Sequence, residues 1–94
     1  MAKKIRTTVH FPGLVAQATG VNRVQVEART LGEAIEAAFS TSPALRHHLC
    51  DDEGRFRIHV LCFHNDTNTR DLASLDVPLK EGDVITFAQA VSGG

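Results

Sequence analysis

Cysteine is scarce in this 94-residue chain, occurring only as Cys50 and Cys62 and never as a C-x-x-C pair. A plant-type iron–sulfur cluster needs four thiolates, so that chemistry is excluded, and two isolated cysteines read as reduced thiols, with a disulfide between them the open alternative. An excess of either charge is missing too. Ten Lys and Arg are interspersed with eleven Asp and Glu, for a formal net charge of -1. Binding a phosphate backbone calls for a basic stripe, so nucleic acid is not an expected partner. No apolar run approaches the ~20 residues of a membrane span, and the basic Met1-Ala2-Lys3-Lys4 opening leads into an alternating segment instead of the apolar core of a signal peptide. The expectation is a cytoplasmic protein with no membrane association. Repeats, linkers and low-complexity tracts are lacking as well. With 43% hydrophobic residues, 94 positions suffice for one core in one domain.

What is present is a hydrophobic period that switches in order along the chain. Ile5, Thr7, Val9 and Phe11 alternate with Arg6, Thr8 and His10, the mark of a half-buried strand, which Pro12-Gly13 stops. A second strand fits 23–28, with Val24 and Val26 inward, and 13–22 reads as the loop of a hairpin. Thr30-Leu31-Gly32-Glu33 is a T-x-x-E capping box, and Leu31, Ala34, Ile35, Ala38 and Phe39 then share one helix face. Ser42-Pro43 ends this helix, with a short further turn of helix predicted at 44–49 before the polar Asp51-Asp52-Glu53-Gly54 loop. A third strand is predicted over 56–63, with Phe56, Ile58, Val60 and Cys62 toward the core and Arg57, His59, Leu61 and Phe63 on the outer face. A short edge segment near Thr69-Arg70, a loop through Leu72, Leu75 and Val77, and a turn at Lys80-Glu81-Gly82-Asp83 lead to a last strand at 84–88. There Ile85 and Phe87 point inward, while Thr86 and Ala88 join Leu61 and Phe63 outside. One helix packed across a mixed sheet of four to five strands is the α+β arrangement called the β-grasp.

The chain closes on "FAQAVSGG", a strand that thins into small residues and two glycines. At an average glycine usage of about 7%, a chance Gly-Gly in the last two places is roughly a one-in-200 event. "TLGEAIEAAF", the H-N-D-x-x-x-R run from His64 to Arg70, "PLKEGDVITF" and the terminal "AVSGG" together resemble the ubiquitin-like sulfur-carrier family, which includes the molybdopterin synthase small subunit, the thiamin sulfur carrier, the carrier of mycobacterial cysteine synthesis and archaeal small modifiers. The resemblance implies a single β-grasp domain at 1–88 and a flexible tail at 89–94. It also implies a non-enzymatic carrier whose Gly94 carboxylate is adenylated by an E1-like enzyme using ATP, converted by a sulfur donor to a thiocarboxylate, and consumed by an acceptor synthase. No cofactor is expected on the chain itself. An ionised carboxylate is an unreactive acyl group, so activation has to come from outside. Gly93 and Gly94 lack Cβ atoms and suit a narrow cleft, which Val91, Ser92, Ala90 and Ala88 would also contact. Gln89-Ala90 stand where molybdopterin synthase small subunits usually carry Pro-Pro, and the ending is closer to the cysteine-synthesis type.

Other reactive residues have plainer readings. His47, His48, Cys50, Asp51 and Asp52 are metal-ligand types in no standard zinc spacing. Cys62 sits on the predicted core face, where a thiol is a small hydrophobe. Leu61 and Phe63 have two readings: covered by a neighbouring loop, or an exposed apolar patch that docks the activating enzyme. Three functions are therefore open at this level: a sulfur carrier, a protein modifier joined to lysine through Gly94, and a β-grasp binding module without tail chemistry.

Overall fold

A computed structural model describes residues 3–90, so the predictions that concern Val91, Ser92, Gly93 and Gly94 lie outside the described residues. The first alternating segment forms β1 (Ile5–His10), with Ile5, Thr7 and Val9 buried. It pairs antiparallel with β2 (Arg23–Ala28), placing Val9 opposite Val24 and Thr7 opposite Val26.

The connection between them is not the plain loop predicted from sequence. It holds a short helix, α1 (Gly13–Thr19), which buries Val15 and ends where Gly20, at φ 80°, donates its amide to Ala16 O at 2.8 Å. One buried residue in two turns leaves too weak a period to be read as a helix. Glycine takes the left-handed conformation at this C-terminal position without a Cβ penalty.

The main helix, α2 (Leu31–Ser40), starts at the predicted cap: Thr30 Oγ1 accepts the Glu33 amide at 3.2 Å. Glu33 Oε1 reaches back to the Arg29 amide at 3.1 Å, one residue earlier than in the usual reciprocal box. All five residues of the predicted apolar face are buried. A third helix, α3 (Pro43–Leu49), follows at once with proline in its first turn, and it buries Leu45 and Leu49.

The third strand is shorter than predicted. β3 covers Val60–His64, whereas Phe56 forms an isolated bridge with Cys50 and the chain turns between the two. The Val60 amide bonds the Arg57 carbonyl at 2.9 Å, which throws Ile58 off the inner face, so that it is 88% exposed and not part of the core. Alternation fails at Ile58 because a turn interrupts the strand there, although Phe56, before the turn, still packs against the core as predicted. The predicted edge segment lies two residues earlier, as β4 (Thr67–Asn68), and Thr69–Asp71 form a 3-10 turn instead.

The last strand, β5 (Val84–Gln89), sits at the centre of the sheet, whose order is β2-β1-β5-β3-β4. Its pairing with β1 is parallel and that with β3 antiparallel, so the five-stranded sheet is mixed, as the β-grasp fold requires. The strand runs one residue past the predicted 1–88 boundary: Gln89 pairs with Val60 inside the stretch read as tail. Among the described residues no helix is long and apolar enough to cross a membrane.

Candidate functional site at the outer sheet face and the tail root

Phe87 fixes the strand that carries the tail. Only 2% exposed, its ring stacks on Phe11 at 5.5 Å, meets Phe39 at 5.7 Å and takes Phe56 edge-on at 5.4 Å. Aromatic contacts of this kind add to the burial energy and hold the strand in one register. Alternate residues are thereby committed to the other face of the sheet.

On that face Leu61 lies opposite Ala88, and Phe63 lies opposite Thr86, with His10 beyond Thr86 on one side and Asn68 beyond Phe63 on the other. Leu61 and Phe63 are half-buried, an outcome between the two readings open in the sequence. Their inner-face neighbours Val60 and Cys62 are 0% and 1% exposed, so the predicted register of this part of the strand is correct. Ala88 is half-buried and Ala90 exposed. Ala90 donates its amide to the His59 carbonyl at 2.8 Å, pinning the root of the tail to the turn before β3.

Two motifs that stand apart in the sequence meet at the opposite end of this strand pair. Asp83 Oδ2 accepts from His64 Nε2 at 2.8 Å and from the Lys80 amide at 2.9 Å, while its Oδ1 accepts from Asn65 Nδ2 at 3.0 Å. Asn65 Oδ1 in turn accepts the Val84 amide at 2.9 Å. Burial works to raise the Asp83 pKa, but the hydrogen bonds from Asn65, His64 and Lys80 outweigh it and hold the carboxyl below its usual range. The turn itself needs Gly82, at φ 87°. At the end of the same motif, Arg70 Nη2 donates to the carbonyl oxygens of Ile58 at 2.8 Å and Val60 at 3.1 Å. The H-N-D-x-x-x-R and K-E-G-D runs are thus a positioning device: His64 and Asn65 tie one end of β3 to the start of β5, and Arg70 ties the other end of β3 to the 3-10 turn. Nothing local in the sequence connects them.

Neither thiol is placed for chemistry. Cys62 is buried on the inner face and its pKa is pushed up to about 12, chiefly by burial, with a hydrogen bond to Thr69 acting the other way. Cys50 is raised too, again mainly by burial. A thiol in this state is a poor nucleophile near neutral pH. The His47 and His48 rings meet edge-on at 5.7 Å, and no group of three or more His, Cys, Asp or Glu suited to a metal ion occurs among the described residues. A groove of about 530 Å³ opens on the helical side between Ile35, Phe39, Phe56 and Leu75, sharing no residue with the outer face.

Known structures share this architecture. SAMP1 from Haloferax volcanii superposes with a TM-score of 0.76 at 25% identity, over 95% of this chain and 99% of that one. CysO in the BexX/CysO complex of Amycolatopsis orientalis gives 0.74 at 27% identity, over 94% and 99% of the two chains. Mycobacterium tuberculosis CysO gives 0.74 at 26%, over 90% and 99%. No curated protein sequence matches the chain significantly. The ThiS family matches residues 9–94, nearly the whole length, and the chain belongs to that family of ubiquitin-like sulfur carriers.

Proposed function

We propose that this protein is a sulfur carrier that works through the carboxylate of Gly94. The observation that carries the reading is the family match, which runs through the terminal diglycine to position 94. In the first step a carboxylate oxygen attacks the α-phosphorus of ATP held by an E1-like partner, and pyrophosphate leaves. A hydrosulfide-class nucleophile then adds to the acyl carbon, and AMP leaves with the C–O electron pair, giving the thiocarboxylate. An acceptor synthase takes the sulfur. The carrier contributes no catalytic group, consistent with two thiols that are buried and hard to ionise. Docking falls to the outer face, where Leu61, Phe63, Thr86 and Ala88 offer apolar and small side chains beside the root of the tail.

Similarity to CysO in a complex with BexX supports a carrier that meets its partner as a separate protein. Similarity to SAMP1, a small archaeal modifier protein, favours a second reading, in which a lysine amine attacks the same adenylate and AMP leaves as an isopeptide bond forms. Both readings use Gly94, and they differ in the product.

Incubating the full chain with ATP, its adenylating enzyme and sulfide distinguishes them by intact mass. The carrier reading expects a gain equal to one oxygen replaced by one sulfur. Recovery of lysine conjugates without that gain supports the modifier reading instead. Gly94→Ala should be adenylated poorly in either case, because a new Cβ crowds the acyl carbon.

A further inference from the structure

Ile58 is a large apolar side chain left 88% exposed. It occupies a turn closed by the Val60 amide on the Arg57 carbonyl oxygen. Turns of this kind are ordinarily built from Gly, Pro, Asn, Asp and Ser, each for a conformational reason that a β-branched residue does not share. Burial does not justify the choice either, since an exposed isoleucine returns almost none of its transfer energy to the folded domain.

The position is nonetheless held firmly. Arg70 binds the carbonyl oxygens of Ile58 and Val60, and the carbonyl oxygen of the adjacent His59 accepts the Ala90 amide. Ile58 is therefore an apolar projection on a stapled turn, one residue from the bond that pins the tail root. A turn whose backbone is already held needs little further ordering when a partner covers it, and a β-branched side chain has few χ1 states to lose. An enzyme that draws the tail into a cleft must close around the residues next to Ala90, and this turn is among them.

We propose that Ile58 is a docking anchor, inserted into an apolar socket at the mouth of the adenylating enzyme's tail cleft and separate from the Leu61 and Phe63 face. The anchor rests on the carrier reading, since it presupposes an enzyme that takes the tail. Apolar anchors of this kind sit in desolvated pockets and carry a large share of binding. Arg70 acts as a positioning residue, keeping the turn in the orientation that presents the side chain.

The test is ATP–pyrophosphate exchange by the adenylating enzyme with full-length wild type, Ile58→Ser and Ile58→Leu. Ile58→Ser should raise KM about tenfold with kcat unchanged, as expected for lost ground-state docking, while Ile58→Leu stays within about twofold of wild type. Thermal midpoints of both variants should match the wild type, because the side chain packs on nothing in the free domain. An Ile58→Ser variant with wild-type KM overturns the anchor alone, and so does a fall in kcat at constant KM. A wild-type chain that supports no exchange overturns the carrier reading, and the anchor with it.

Discussion

Asn65 holds Val84 from two directions: its backbone N–H donates to the Val84 carbonyl oxygen at 2.8 Å, and its side-chain Oδ1 accepts the Val84 N–H at 2.9 Å. The residue sits at φ 54°, where asparagine is tolerated and most residues are not. Asn65→Gly removes the side-chain bonds but keeps the backbone conformation accessible, and should cost roughly 1–2 kcal/mol. Asn65→Ala should cost about 1 kcal/mol more, from the left-handed conformation alone. Urea midpoints of the two variants measure the difference, and equal values would show that the backbone angle contributes nothing.

Asp83 gives the fold an acid limb. Its folded pKa lies below the unfolded value of about 3.9, so its contribution is complete above that value and drains away as pH falls through the lower, folded one. Asp83→Asn should therefore be less stable than wild type at pH 7, by about 1 kcal/mol or more, with the gap narrowing below the unfolded carboxyl value. Denaturation curves at neutral and strongly acid pH supply the comparison. A gap that does not depend on pH would assign the loss to packing instead.

Leu61 and Phe63 face away from the core that Val60 and Cys62 occupy, so a charge at either position is a perturbation of binding first. Phe63→Asp should weaken association with the adenylating enzyme by about 2 kcal/mol, since the carboxylate would be desolvated unpaired. Stability should change by less than about 1 kcal/mol. Titration calorimetry beside thermal melting separates the two, and a variant that loses stability while binding normally per folded molecule would place Phe63 in the core.

Burial of both thiols makes them a probe of opening. Neither Cys50 nor Cys62 should react with iodoacetamide in the native protein at neutral pH, whereas both should be alkylated in denaturant. Mass spectrometry of digests gives the answer directly. Rapid native labelling of Cys62 would mean that the β3–β5 pair opens locally far more often than its packing implies.

Local rules were enough wherever period and punctuation agreed. Val9, Ile35 and Phe87 are buried as their spacing predicts, and Thr30 caps α2 because a hydroxyl three residues before a glutamate satisfies first-turn amides in any context. Ile58 departs from the expected inner face because Arg57, Ile58 and His59 include no residue that announces a turn, so the period-two pattern runs straight through one. The pairing of His64 and Asn65 with Asp83 was invisible for another reason. Both motifs could be read, but a hydrogen bond between strands is set by the sheet order, and period does not determine which strand neighbours which.

The central place of β5 has a temporal consequence. Thr8 and Val84 are parallel partners from nearly opposite ends of the sequence, and β1 and β3 touch only through the strand between them. Contacts so far apart in sequence close slowly, after most of the chain entropy has been given up. Without this strand, β2-β1 and β3-β4 have no hydrogen-bonded connection within the sheet. The outer face that sets Leu61 beside Ala88 and Phe63 beside Thr86 is thus complete only once the last strand has inserted, so any partner that requires that face would ignore molecules in which β5 is still unpaired.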